Sequence, residues 1–549
     1  MNAVWPRVAP AGDSGLLVEL APDLSPKAIA RVHGAHRLLG DLPGVVETVP
    51  GFRSVLVAYD PLAVSFDEIA GRAEAAARAA QPAPATEGSL VEIPVVYGGR
   101  AGPDLEAAAL ACGTTPPKIV DMHSGTDYLV YMLGFAPGFP YLGLLPPELR
   151  MPRRPTPRVR VPAGSVAVAD AFSGIYPQET AGGWHLLGRT PLRLFDPTRA
   201  RPCLLQPGDR VRFVPVPNGS AASEAATADT ESRGVTPIRA IGRPVFEVLE
   251  PGLMTTVQDR GRIGWRRFGV PSSGALDRPA LDAVNGVLGN PPGAAALELT
   301  FPGPRLRVLS EAEIAVVGAD LTAMVNRTAL DPGEPVRVHP GDLLEFEPPR
   351  QGQWLYLGVA GGVEVPPLMG SRSAYARGGQ GGPLGRALRA GDILGLGETS
   401  SARRRTRWPG DPLTTRNGPV RVVLGPQSGA FTAEAQASFL GRAYKATAQR
   451  DRSGTRLAGS ILGHRGSAEI MSDGLLPGAI QVPADGQPLV ILADGPTTGG
   501  YPKIAWVIAP DLCRVAQAGP GTELRFEAIT VETAHAMIRE RAGVACRTR

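Results

Sequence analysis

From Gly88 onward the chain is written in short apolar runs rich in β-branched residues, each stopped by Gly, Pro or Asp: VEIPVVY, YLVYMLGF, SVAVAD, DRVRFVPV, EIAVVGA, WLYLGVAGG, VRVVLG and PLVILAD. Strands at this spacing, with few helical stretches between them, predict barrels or sandwiches rather than βαβ layers. A phrase recurs within the pattern. PGDRVRF at Pro207, PGDLLEF at Pro340, AGDILGL at Ala390 and PGTELRF at Pro520 each place a Gly turn before a strand with alternating large apolar residues. VPAGSVAVADAFSGIYP (Val161 to Pro177) and VPADGQPLVILADGPTTGGYP (Val482 to Pro502) also share their order of VPA, apolar strand, Asp and a final YP. The same supersecondary unit is expected once before residue 217 and more than once after it.

Residues 1–85 read differently. Strands such as SVLVAY alternate with two amphipathic helical runs, PKAIARVHGAHRLL and FDEIAGRAEAAARAA, which predicts a small α+β domain ending at the break QPAPATEG. The segment PNGSAASEAATADTESRGVTPIR, Pro217 to Arg239, is small, polar and without apolar periodicity, the composition of a linker. The expected organisation of the 549 residues is therefore an α+β domain over 1–85, a β domain over 88–216, a linker over 217–240 and a longer β region over 241–535.

Charge and cysteine use exclude several classes. A formal net charge of +4 over this length, with no basic block interleaved with aromatics, argues against a nucleic-acid partner. The four cysteines are scattered without CxxC or histidine spacing, so neither a disulfide framework nor a metal site is expected. There is no apolar run long enough to span a membrane, and the first residues do not read as a signal peptide; a cytoplasmic location is expected.

The stretch LADGPTTGGYPKIAW, Leu492 to Trp506, carries the most chemistry. Gly499 and Gly500 let backbone N–H groups approach an anionic or carbonyl ligand, Thr497 and Thr498 add hydroxyls, and Tyr501 and Lys503 follow at a spacing that would place them on one face of a strand. Only four of the 56 basic residues are lysine, and an ammonium is a compact charge that arginine does not replace, which singles out Lys503. Asp494 stands where a carboxylate could orient that lysine or take a proton. The same residues would also make a sharp barrel turn capped by Asp494. In SGIYPQETAGGWHLLGRTP the candidates are Tyr176, His185 as proton carrier and Arg189 as carboxylate or phosphate ligand. The aromatics Phe135, Phe139 and Tyr141 read as a rigid turn packing between the halves. In the Gly-rich stretch from Arg372 to Leu388, Arg377 and Arg386 could bind anions.

Four motifs then converge on one family: GFAPGFPYLGLLP (Gly134 to Pro146), VPAGSVAVADAFSGIYPQETAGGWHLLGRTP (Val161 to Pro191), TTVQDRGRIGWRRFGVPSSGALD (Thr255 to Asp277) and GAIQVPADGQPLVILADGPTTGGYPKIAWV (Gly478 to Val507). Together the chain resembles the carboxyltransferase-type pair known as the two allophanate hydrolase subunits, similar to a fusion of the B and C subunits of bacterial 5-oxoprolinase. The resemblance implies cyclophilin-like β-barrels, one in the first half and a tandem pair in the second. It departs from the family pattern at Asp170-Ala171, usually Gly-Gly, and at Ser453 and Thr455.

What the resemblance implies for function is an ATP-dependent opening of 5-oxo-L-proline, with Mg²⁺, completed by a separate 5-oxoprolinase A subunit. The chain contains no P-loop sequence and no lysine between methionines for biotin attachment. A biotin-dependent carboxyl transfer to urea or another amide is the alternative, with biotin carried on another chain; a non-catalytic kinase-inhibitor-type binding module is the third reading. A small-molecule amide substrate and no membrane partner are expected in the enzymatic readings, and homo-oligomerisation is left open.

Overall fold

The computed structural model describes residues 5–83, 88–217, 237–376, 385–398, 406, 408 and 418–547, with side chains to 543. In the first part, the helix Pro26–Gly40 starts where Ser25 Oγ accepts the Ala28 N–H behind a proline in the first turn, and it buries Ile29, Val32, Ala35 and Leu39. Phe66–Ala79 begins the same way on Ser65, with Asp67 and Glu68 at its positive end, and buries Ile69, Ala73 and Ala77. Both cover an antiparallel sheet in the order Arg7–Pro10, Gly15–Glu19, Ser54–Tyr59, Val45–Pro50.

The next strands close completely. The barrel runs Phe172–Ile175, Pro140–Gly143, Asp127–Leu133, Arg210–Pro215, Leu90–Tyr97, His185–Arg189 and Ser165–Ala169, which pairs back to Phe172–Ile175. Closure leaves no free edge, and alternate residues such as Ile93, Val130, Val168, Leu187 and Phe213 fill the interior.

The second half makes two further β units. A seven-stranded and a five-stranded sheet share one core in which Phe246, Val248 and Leu306 meet Leu297, Val316 and Leu355. An eight-stranded sheet then begins at Glu523–Leu524 and ends at Phe526–Ala528, segments that adjoin in the chain, so the sheet curls into a nearly closed barrel. The fold is thus mainly β, as expected, with a closed barrel in the first half and tandem β units in the second.

The recurring phrase has a physical cause. Gly208, Gly341, Gly391 and Gly521 all have φ between +84 and +96°, conformations that glycine tolerates best. The following Asp209, Asp342 and Asp392 each accept the N–H of the residue three positions back, closing the same turn. Topology repeats too: Arg210–Pro215 lies parallel to Leu90–Tyr97, and Phe526–Ala528 lies parallel to Val420–Leu424. No helix among the described residues is long and apolar enough to cross a membrane.

Candidate active site between the two halves

The loop after Leu489–Ile491 does not hold Asp494 against Lys503. Asp494 is nearly buried and accepts Arg452 Nε at 2.9 Å and Nη2 at 3.2 Å. Arg452 reaches on to Gly274 O at 2.7 Å and pairs with Glu298, which also accepts the Tyr356 hydroxyl at 2.6 Å. Burial disfavours the Arg452 charge, but Asp494 and Glu298 outweigh it and hold the guanidinium above its ordinary pKa. The expectation that Asp494 orients the lysine is therefore corrected: its charge is spent fastening the last barrel to the preceding β unit.

Lys503 has a different partner. It opens the strand Lys503–Val507, is fully buried, and pairs its ammonium with Asp473, whose other oxygen accepts Gln427 Nε2 at 3.0 Å. Burial pulls the Lys503 pKa below the ordinary lysine range against the attraction of Asp473, and pushes Asp473 upward against the attraction of Lys503. The alternation that would place Tyr501 and Lys503 together does not apply, because the strand starts only at Lys503. Tyr501 faces a cavity, while Lys503 is not among its lining residues.

That cavity measures about 710 Å³ and lies between the halves. The last barrel contributes Asp451, Ser453, Ser472, Thr498, Gly499, Gly500 and Tyr501, and the first half contributes Phe135, Tyr141 and Arg153. A Cβ at Gly499 would meet the ends of the Gln481 and Leu475 side chains, which would have to shift to admit it. Thr498–Gly499 pairs with Asp473–Gly474, so the Lys503–Asp473 pair backs the wall that carries Ser472 and Gly499. Across the gap, Phe135 sits at φ +63° and donates its N–H to Thr498 Oγ1 at 3.2 Å.

Beneath Phe135 lies an edge-to-face aromatic cluster of Phe139, Tyr141, Tyr176 and Trp184 with centroids 5.1–6.3 Å apart. Tyr176 is inside this cluster, 1% exposed, and burial raises its phenol pKa far above the ordinary value. His185 donates Nε2–H to Pro152 O at 2.9 Å, its buried Nδ1 has no hydrogen-bond partner among the described residues, and Arg189 Nε donates to Ala163 O at 2.7 Å. Neither lines the cavity. Thr497 is buried, and its Oγ1 has no hydrogen-bond partner among the described residues. Arg377 lies outside the described residues, and Arg386 forms a two-point pair with Asp392.

Of the residues singled out in the sequence, Thr498 to Tyr501 line this cavity, whereas Arg153, Asp451, Ser453 and Ser472 line it and Asp473 backs it without having been candidates. No spacing marks them; only Ser453 stood out, as a departure from the family pattern.

Family comparisons match this architecture. The carboxyltransferase domain model for subdomains C and D matches residues 6–205, and the model for subdomains A and B matches residues 268–528. The B subunit of 5-oxoprolinase from Escherichia coli O157:H7 is 44% identical over 211 residues, covering 38% of this chain and 95% of that protein. The chain belongs to the carboxyltransferase-domain family of 5-oxoprolinase subunits. The C subunit from Escherichia coli K12 is 37% identical over 290 residues, 53% of this chain and 93% of that protein, so both halves have a relative and this member is a fusion. The crystal structure of TTHA0988 superposes with a TM-score of 0.81 at 36% identity, covering 93% of this chain and 99% of that one. The urea amidolyase of Lachancea kluyveri is 32% identical over 53% of this chain, but the match spans only 17% of that enzyme.

Proposed function

We propose that this chain supplies the B and C components of an ATP-dependent 5-oxoprolinase and activates the lactam for opening to L-glutamate with a separate A subunit. The observation that carries the reading is the composite cavity: Phe135, Tyr141 and Arg153 from the B-like half close over Ser453, Ser472, Thr498 and Tyr501 of the C-like half. Its size is in the range that encloses drug-sized ligands, well beyond a single five-membered lactam.

Opening an unstrained lactam consumes water and breaks the ring C–N bond, a step that ATP hydrolysis drives by supplying a phosphoryl group to the amide oxygen. The residues that fit a phosphate are Arg456 and the side-chain-free backbone of Gly499 and Gly500, which lines the cavity. The hydroxyls of Ser472, Thr498 and Tyr501 orient the amide, and the aromatic roof over them excludes water. Lys503 and Asp473 act from behind as positioning residues.

The test is reconstitution. The chain mixed with the A subunit, 5-oxo-L-proline and Mg²⁺-ATP should yield glutamate and ADP in step, and neither component alone should do so. A requirement for bicarbonate and a biotin-carrier protein, or inhibition by avidin, would overturn the reading.

A further inference from the structure

Three arginines line the cavity, and they are not equivalent. Arg450 spends Nη1 and Nη2 on the carbonyls of Ala518 at 2.7 Å and Ala516 at 2.9 Å, at the end of the helix Leu512–Gln517. Arg456 is paired through Nη2 with Asp485, a residue outside the lining. Arg153 is the guanidinium that the first half brings to the cavity, and it bonds only through Nε, to Asp170 Oδ2 at 3.1 Å. Its Nη1 and Nη2 have no hydrogen-bond partner among the described residues, and its side chain is 50% exposed. An arginine held by Nε and open at both terminal nitrogens presents the end-on fork that grips a carboxylate at two points.

The carboxylate that aims this fork sits in an unusual backbone. Asp170 has φ +55°, in the left-handed region that disfavours a side chain, and its N–H is tied to Met151 O at 2.6 Å. A glycine would meet that geometry without strain, so the conformation gives no reason for an aspartate; the ion pair to Arg153 does. Glu469 faces the same guanidinium from the wall of the other half, and Tyr141 lies beside it. The arrangement thus sets a cation held on one side next to an acceptor on the other.

We propose that Arg153, aimed by Asp170, reads the carboxylate of the substrate and makes the cavity select an anionic lactam over an uncharged amide. This rests on the function proposed above. In 5-oxoproline the carboxylate and the ring N–H are borne by adjacent atoms on one edge of the ring. Arg153 takes the carboxylate, and Glu469 accepts the N–H. Urea and other uncharged amides offer no carboxylate to Arg153 and forgo that two-point, charge-assisted pair.

The experiment uses the full chain in two arms. In kinetics with the A subunit present, Arg153→Gln should raise the KM for 5-oxo-L-proline roughly ten- to a hundredfold, the worth of one charge-assisted pair, with kcat within about twofold. Asp170→Gly relieves the positive φ, keeps the melting temperature at or above that of the unsubstituted chain, and raises KM by a smaller factor. In calorimetry with the chain alone, both substitutions should weaken binding of 5-oxo-L-proline but leave binding of the uncharged 5-oxo-L-prolinamide unchanged. Unchanged KM and unchanged acid binding in Arg153→Gln, or equal losses for acid and amide, would overturn the Arg153 assignment while leaving the proposed activity standing. If the unsubstituted chain, supplied with its partner, fails to open 5-oxoproline, the activity falls, and the calorimetric arm still decides whether Arg153 reads a carboxylate.

Discussion

At the scale of single residues, the buried ammonium of Lys503 is held by the carboxylate of Asp473 behind the cavity wall. Its rarity among arginines marked it, but its partner Asp473 stands thirty positions away, and no local spacing predicts a pair made across two strands. Arg452 hides the same way: its acids, Glu298 and Asp494, come from separate β units. A buried ammonium that faces a carboxylate rather than the cavity changes what mutation should do. Lys503→Ala leaves Asp473 charged and buried without its counter-ion, and the cost of breaking one side of such a pair is about 3–5 kcal/mol. Lys503→Met combined with Asp473→Leu removes both charges and should recover most of that loss. Denaturant melts of the two variants make the comparison. Equal stability of Lys503→Ala and the unsubstituted chain would mean that the pair does not hold the wall under Ser472 and Gly499.

Among elements, the strands and helices were the most legible part of the chain, because their causes are local: apolar alternation, serine caps and the Gly-Asp turn. The helix Pro116–Ser124 shows where legibility stops. His123 on its last turn gave no signal in the sequence, yet it is fully buried in the closed barrel, stacked on Phe213 and bonded to the Tyr97 hydroxyl at 2.7 Å and the Ser173 hydroxyl at 2.9 Å. Desolvation pulls its pKa down from 6.5 to about 3. The folded barrel therefore refuses a proton that the unfolded chain accepts, so this contribution to stability is complete above about pH 6.5 and is lost as pH falls toward 3. Acid should destabilise the chain across that window, and His123→Phe, which cannot be protonated, should flatten the slope even if it lowers stability at pH 8 by taking a partner from the Tyr97 and Ser173 hydroxyls. Melting temperatures taken from pH 8 to pH 4 on both proteins measure it. Parallel curves would show that His123 does not carry the acid response.

For the whole molecule, the family and the succession of β units could be read from long motifs, whereas the cavity could not, because it exists only where two halves meet. Its roof and floor are tied by backbone and side chain alike. Phe135 bonds Thr498, and Glu47 of the first part clamps Arg266 of the second through Nε at 2.7 Å and also accepts the N–H of Gly264 at 2.9 Å. Asp13 accepts the Ala509 N–H at 2.6 Å, while Leu17, Val49 and Leu56 share an apolar cluster with Leu475, Ile491 and Trp506. These contacts bury apolar area and several desolvated polar pairs, which sets the affinity between halves independently of the covalent connection. If the composition of the segment after Pro217 makes it a linker, its part is to keep the partners at high effective concentration, on the order of millimolar for a short tether, while Ile238 near its end is already anchored in the core of the second half. Cutting the chain between Ala225 and Ala226, through an inserted protease site, should leave the halves eluting together in gel filtration and the reconstituted 5-oxoprolinase activity within about twofold of the intact chain. Arg266→Ala removes the cation that Glu47 needs and should make the cut halves separate on dilution. Halves that part at once after cleavage in the unsubstituted protein would instead assign the closed cavity to the tether rather than to the interface.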